Sequence, residues 1–287
     1  MKRILITGAN GFIGSNLMTL LSDLPDTKLF AGTRQTIDLY STDSIKEFKY
    51  NNKIDSVIHC AIEGRGLQDE KEDIVYKNLL MLKNLITTFH DRDDRCFSTP
   101  LFINIASGAE FDRRFNISGT EEYMVRVASP IDYYGVSKNI ISNIITTLPN
   151  GINLRVFGCF YHNELPTRFI RANLTRYIKG EPIIIEKNKK MDFIYMEDLA
   201  TIIKFIIKNN GCSVKDINMS YKTKLTLLDI ANIINNIDDK KSKIVIKNDV
   251  ADLDYYGNSR IFTYFDDNLK GLELGIKECY EKLKNEY

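Results

Sequence analysis

The sequence predicts an α/β fold, a doubly wound parallel sheet followed by a smaller mixed α/β lobe. Two observations carry this. In the first half, short β-branched runs alternate with helical apolar spacing, and strands separated by helices imply a parallel sheet covered on both faces. After about residue 158 that rhythm breaks into helices with occasional short strands. A chain of 287 residues is long for one domain and short for two large ones. The expected division is 1–157 and 158–287, with parts of 192–219 returning to the first domain.

The elements follow in order. Lys2 to Thr7 is a β-branched strand ending in glycines, and Phe12 to Leu24 is a helix closed by Pro25. Lys28 to Thr33 and Asp55 to His59 are strands, with a short helix at Ser44 to Tyr50 between them. Ile74 to His90 places Val75, Leu79, Leu82, Leu85 and Ile86 on one helical face. Leu101 to Ala106 and Ile152 to Phe157 are strands flanking a helix at Tyr134 to Thr147. Beyond them, Arg168 to Tyr177, Glu197 to Lys208, Leu227 to Ile237 and Gly271 to Lys284 read as helices. Pro182 to Ile185 and Asp216 to Met219 read as short strands. Phe111 to Ile131 is long and polar, and a long loop inside a compact domain is usually functional.

Composition excludes several classes. Apolar residues at 44% and charged residues at 27% suit a globular core. A net charge of +1, with no basic run beyond Lys187-Asn188-Lys189-Lys190, argues against a nucleic-acid partner. The apolar run Ile4-Leu5-Ile6 is too short for a signal peptide, and no stretch of about 18 apolar residues offers a membrane span. A soluble, unexported, cytoplasmic protein is expected. Its cysteines (Cys60, Cys96, Cys159, Cys212, Cys279) are scattered without a C-x-x-C, which suggests neither a disulfide framework nor a metal site.

Gly8-Ala9-Asn10-Gly11-Phe12-Ile13-Gly14 lies between the first strand and the first helix. Glycines there permit a tight turn and close approach of backbone to a pyrophosphate, and the helix amino terminus offers unpaired N–H groups. This context predicts a Rossmann-type dinucleotide site. Roughly 20 residues on, NAD is gripped by an acidic residue at the ribose 2′-OH. Ala31-Gly32-Thr33-Arg34 stands there instead, and the Arg34 guanidinium suits a 2′-phosphate, so NADP(H) is favoured over NAD(H). The alternative is an arginine stacking on the adenine of either cofactor.

Tyr134-Gly135-Val136-Ser137-Lys138 opens the helix after the long loop. Tyr134 and Lys138 share a helix face one turn apart. A phenol is a weak acid at neutral pH, and a neighbouring ammonium favours its phenolate.

These residues resemble the extended short-chain dehydrogenase/reductase family, in particular its nucleotide-sugar epimerases, dehydratases and reductases, over nearly the whole chain. The resemblance rests on Gly8-x-x-Gly11-x-x-Gly14, Asp38-Leu39, Cys60-Ala61, Ser107, Tyr134-x-x-x-Lys138 and Asn153-Leu154-Arg155. Met191 to Asp198, Ile217-Asn218-Met219 and Thr226 to Ala231 extend it. Arg34 with Asp38-Leu39-Tyr40 is similar to the NADP-dependent GDP-fucose synthase and dTDP-rhamnose reductase branch, and Tyr76 to Leu80 to the corresponding helix of GDP-fucose synthases. The spacing around Arg155 and Phe169 resembles CDP-abequose synthases, which are plain 4-keto reductases.

The resemblance implies roles. Tyr134 delivers a proton to a sugar carbonyl, Lys138 holds the nicotinamide ribose, and Ser107 polarises the carbonyl, the alternative for Ser107 being a strand-end hydroxyl that caps a local turn. Gly8, Asn10, Gly11, Phe12, Ile13 and Gly14 bracket the pyrophosphate. Arg34, Asp38, Leu39, Cys60, Ala61 and Phe157 complete the cofactor site, although an Asp before a helix is also a common cap. Ala109, Glu110 and Phe111 line the sugar pocket, and Arg168 and Arg171 either neutralise the diphosphate or stand on a solvated helix face. Asn218 and Tyr221 lie within reach of the same pocket. Ala109 stands where GDP-fucose synthases carry a cysteine, which argues against 3,5-epimerisation. His162 stands in for an epimerising histidine or is a surface residue, and Met191 and Gly158 replace an arginine and an Asn or His. The implied function is NADPH-dependent reduction of the 4-keto group of a nucleotide-linked deoxysugar or heptose for glycan or capsule precursors, by a homodimer. The alternatives are a C4 epimerase or 4,6-dehydratase holding NAD, and a non-catalytic dinucleotide sensor.

Overall fold

The computed structural model describes residues 1–64, 73–89, 100–265 and 269–286. The first elements are β1 (Lys2–Thr7), α1 (Phe12–Leu20), β2 (Thr27–Gly32), α2 (Thr42–Asn52), β3 (Ser56–His59), α3 (Asp73–Phe89) and β4 (Leu101–Ser107). There follow β5 (Ile117–Thr120), α4 (Tyr133–Thr147), β6 (Gly151–Val156), β7 (Cys159–Phe160), α5 (Phe169–Lys179), β8 (Ile183–Lys187) and β9 (Ile194–Tyr195). The chain ends with α6 (Met196–Lys208), β10 (Asp216–Met219), α7 (Leu227–Asn235), β11 (Ile244–Asn248), β12 (Tyr255–Gly257), α8 (Ile261–Tyr264) and α9 (Gly271–Lys284). His90 and Cys96, which figure in the sequence reading, lie outside the described residues.

The chain forms two compact units. The first comprises Met1–Asp112, Glu122–Arg155 and Ala200–Ile217, and the second Arg113–Glu121, Val156–Leu199 and Asn218–Tyr287. Segment 113–121, which the sequence assigns to the first domain, thus belongs to the second unit.

The central sheet runs β10-β6-β4-β3-β1-β2, and β1 pairs in parallel with both β2 and β3. Strand order therefore reverses beside β1, the position where open parallel sheets bind their ligands. β3, β4 and β6 are buried nearly throughout, as strands covered on both faces must be. On one face Leu5, Val57 and Phe102 pack with Leu82 and Leu85 of α3 and Ile141 and Ile145 of α4. Helix starts are capped locally: the Ser41 hydroxyl accepts from Ser44 N at 3.2 Å, and Asp132 accepts from Gly135 N at 2.8 Å.

In the second unit β8 pairs with β11, β5 with β12 and β7 with β9, all parallel. Asp198 fastens α9: its carboxylate accepts from Lys270 N at 2.8 Å, Gly271 N at 2.9 Å and the Tyr221 hydroxyl at 2.5 Å.

Several boundaries differ from the sequence expectation. α1 stops at Leu20 rather than Leu24. The expected loop Phe111 to Ile131 contains β5 and a 3-10 turn at Glu122–Arg126. Arg168 is the N-cap of α5 rather than its first residue. β11 and β12 are additions. Among the described residues, no helix is long and apolar enough to cross a membrane.

Candidate functional site

The turn after β1 is shaped for a close ligand. Gly8 has φ +65, where a side chain is strained, and its backbone lies against Cys60 and Ala61, since a Cβ there would sit 2.8 Å from Ala61 N. A Cβ on Gly14 would lie 2.3 Å from Gly8 O, so the helix start and the turn touch as backbone. Gly11 caps α1 without a side-chain bond, which leaves the first helical N–H groups to a ligand. Asn10 and Gly11 are exposed and Phe12 and Ile13 half-buried. Thr7 fixes the neighbouring loop: its Oγ1 accepts from Cys60 N and Ala61 N at 3.2 Å each. These residues fit a dinucleotide pyrophosphate.

At the end of β2, Arg34 is exposed and its Nη2 meets Glu63 Oε1 at 2.5 Å. The Tyr40 hydroxyl donates to the same oxygen at 3.1 Å, and burial followed by the Glu63 bond pushes its pKa up to about 12. Asp38 accepts from Tyr40 N at 2.9 Å and so braces a turn before α2, whose cap is Ser41 and not Asp38. Leu39 is buried in the core, while its carbonyl accepts from Asn84 Nδ2 at 3.1 Å. Glu63 is a residue the sequence reading missed. Nothing local marks it, because its partners stand far away in sequence.

The catalytic candidates cluster in the first unit. Lys138 is buried on α4, and its Nζ donates to Ile105 O of β4 at 2.7 Å. Tyr134 lies one turn earlier on α4 and is half-buried. Ser107 ends β4 and caps a 3-10 turn: its Oγ accepts from Ala109 N at 3.2 Å, while its N donates to Glu110 Oε1 at 2.8 Å. Asn139 of α4 donates to Glu110 O at 3.1 Å, and a Cβ on Gly135 would fall 2.5 Å from Ala109 O. The glycine between Tyr134 and Lys138 therefore lets α4 press against the loop that carries Ser107.

The structure changes the reading of Glu110. Its side chain is fully buried, and Oε2 accepts from Arg155 Nε at 2.8 Å while Oε1 accepts from Ser107 N. It positions Ser107 instead of lining a sugar pocket. Ala109 and Phe111 are likewise buried, the latter beneath the Arg155 guanidinium at 5.4 Å.

Other candidates lie in the second unit. The Phe157 ring is buried against Tyr255 at 5.3 Å between centroids and fills the space a Gly257 side chain would need. Arg168 is exposed, whereas Arg171 is committed: its guanidinium donates to Glu164 O and lies 3.7 Å from Glu286. Asn218 is buried and donates to Thr120 O at 2.8 Å, and Tyr221 is spent on Asp198, so both act as structural ties. His162 is half-buried with its ring 4.3 Å from that of Tyr161, and burial, with Lys282 nearby, lowers its pKa. Gly158 exists because Phe193 closes on it: a Cβ would meet that ring at 2.8 Å. Met191 bridges to Tyr255 and donates its N–H to Leu225 O at 3.2 Å.

The chain is 24% identical over 241 residues to an ADP-L-glycero-D-manno-heptose-6-epimerase of Brachyspira hyodysenteriae, covering 72% of each chain. It is 26% identical over 220 residues to a GDP-6-deoxy-D-talose 4-dehydrogenase of Aggregatibacter actinomycetemcomitans, covering 71% of this chain and 70% of that one. The fold matches a GDP-mannoheptose C4 reductase of Campylobacter jejuni with NADP bound, at TM-score 0.79 and 18% identity, over 99% of this chain and 98% of that one. The sequence profile of the NAD dependent epimerase/dehydratase family matches residues 4–220, and the protein belongs to that family.

Proposed function

We propose that this protein is an NADPH-dependent reductase of the 4-keto group of a nucleotide-linked deoxysugar or heptose. In this reading it acts in the cytoplasm as a homodimer and feeds glycan or capsule precursors. The observation that carries the reading is the Lys138 Nζ bond to Ile105 O, which fastens the helix bearing Tyr134 against the strand that ends in Ser107. Support also comes from relatives whose names share a sugar nucleotide and a structural neighbour that holds NADP.

When bound, the dinucleotide would supply the hydride. The chain supplies the rest. The Tyr134 hydroxyl gives its proton to the carbonyl oxygen of the sugar as that oxygen gains charge. An ammonium has three donors, and among the described residues Lys138 uses one on Ile105 O, so we assign the other two to ribose hydroxyls. The Ser107 hydroxyl, oriented by Ala109 N, donates to the same carbonyl oxygen and stabilises its developing charge. Arg168, exposed at the start of α5, is the cation we assign to the diphosphate.

The test is a panel of GDP-, CDP-, UDP- and dTDP-linked 4-keto sugars, followed by the loss of NADPH absorbance. At least one should be reduced, and Tyr134→Phe should stop turnover while sparing cofactor binding. Wild-type turnover by that variant would overturn the assignment, as would purified protein that retains NAD and consumes no NADPH.

A further inference from the structure

We propose that Glu63 sets how strictly the adenosine end distinguishes NADPH from NADH, by holding Arg34 in a carboxylate pair that a 2′-phosphate must displace. The proposal rests on the dinucleotide reading above and extends it to a residue outside the glycine turn and the Tyr–Lys pair.

Glu63 is built into its place. Its N donates to Asn78 Oδ1 at 2.7 Å, and its carbonyl accepts from Asn78 Nδ2 at 3.0 Å, so a fully buried asparagine of α3 clamps its backbone twice. Asn78 Nδ2 also donates to Ser137 Oγ on α4 at 3.2 Å, which ties the clamp to the catalytic helix. The side chain then reaches Arg34 at 2.5 Å and accepts from Tyr40 at 3.1 Å, both bonds converging on Oε1. The Tyr40 phenol keeps its proton through the physiological range, so it remains a donor to Glu63 whatever Arg34 does.

Arg34 is the residue whose guanidinium matches a 2′-phosphate, and it is already paired with an anion. The pair is open to water, with side-chain exposures of 84% for Arg34 and 30% for Glu63, and exposed pairs are weak. A phosphate with two negative charges and three acceptor oxygens therefore outcompetes the carboxylate. It does so at a cost, since the pair must break and the carboxylate, held by Tyr40, remains beside the phosphate. NADH demands neither change, because its ribose hydroxyl donates to a carboxylate. Glu63 thus narrows a preference for NADPH that Arg34 creates.

Fluorescence titrations of NADPH and NADH against wild type, Glu63→Gln, Glu63→Ala and Arg34→Gln test this without turnover. Both Glu63 variants should tighten NADPH by roughly three- to fivefold, the worth of one exposed ion pair, while NADH binding stays level or weakens. Arg34→Gln should remove most of the NADPH preference. An unchanged NADPH-to-NADH affinity ratio in both folded Glu63 variants would overturn the proposal and leave the dinucleotide reading standing. Binding of neither dinucleotide by wild type would overturn both.

Discussion

Arg155 and Glu110 form a fully buried ion pair, Nε to Oε2 at 2.8 Å. Burial opposes the arginine's charge, and Glu110 together with Asp216, 3.1 Å from Nη2, keeps it protonated. The same Glu110 accepts from Ser107 N, so one carboxylate serves both the Arg155 charge on β6 and the backbone of Ser107 at the end of β4. Removing one partner of a buried pair costs up to about 3–5 kcal/mol, and without Glu110 the buried Arg155 keeps Asp216 as its acidic partner. Glu110→Gln should therefore destabilise strongly yet keep an acceptor for Ser107 N, whereas Glu110→Ala should destabilise and also lower kcat. Urea denaturation and turnover separate the two effects. Equal kcat in both variants would refute the positioning role.

Gly14 is a second test of the site. A methyl group 2.3 Å from Gly8 O must force the turn open, because the obstacle is backbone. Gly14→Ala should weaken dinucleotide binding at least about tenfold and lower Tm. Gly211→Ala is the control: φ is +138 with nothing within 4 Å, so strain alone should cost about 1–2 kcal/mol and cofactor affinity should hold. Calorimetry with NADPH measures both, and comparable affinity losses would contradict the turn geometry.

The alternating sheet, the glycine turn and the Tyr134–Lys138 pair are legible in sequence because each depends on residues within one or two turns of chain. β5 and β12 are not. Ile117–Thr120 and Tyr255–Gly257 are too short for a period to register, and each is a strand only because the other supplies its partner. Ile244–Asn248 similarly gains its identity from Ile183–Lys187. Glu110 was visible as an acid near Ser107, but the partner that buries it, Arg155, sits on another strand. The Arg34–Glu63 contact escaped for the same reason. Residue type is local, whereas burial and pairing are set by the fold.

Lys138→Met should abolish the chemistry with modest structural loss. The methionine keeps the buried stem, and the Ile105 carbonyl loses its donor, at about 1–3 kcal/mol. Turnover should fall about a hundredfold or more. Steady-state rates alongside thermal melts decide the matter: a stable variant with near-wild-type turnover removes Lys138 from the mechanism.

His59 makes the first unit acid-sensitive. Thr7 Oγ1 accepts from two backbone N–H groups, so its own proton goes to His59 Nδ1 at 2.9 Å, and the ring is held neutral. Burial, with Lys138 adding to it, lowers the pKa from 6.5 to about 3. Below 6.5 the unfolded chain gains a proton that the folded one refuses, so stability falls as pH drops from 6.5 toward about 3. His59→Asn retains an acceptor for Thr7 but cannot titrate. Its stability should change less with pH than that of wild type between pH 6.5 and 4, and parallel curves would dismiss the effect.

Glu164 gives the second unit the opposite sensitivity. Burial pushes its carboxyl up to about 8, against the pull of the Arg171 N–H bond and the charges of Arg168 and Arg171. The folded state keeps the proton until about pH 8, while the unfolded chain gives it up above 4.5. Stability from this group is complete below 4.5 and declines as pH rises to about 8, by at most about 1.4 kcal/mol per pH unit. Between 4.5 and 6.5 this slope opposes that of His59, so wild-type curves alone can look flat. The difference between wild type and Glu164→Gln isolates it, because the amide preserves an acceptor for Arg171 N and carries no titration. Urea denaturation at pH 5, 6.5 and 8 should show the variant gaining on wild type at each step, and a constant difference would mean that Glu164 is ionised in the folded protein throughout.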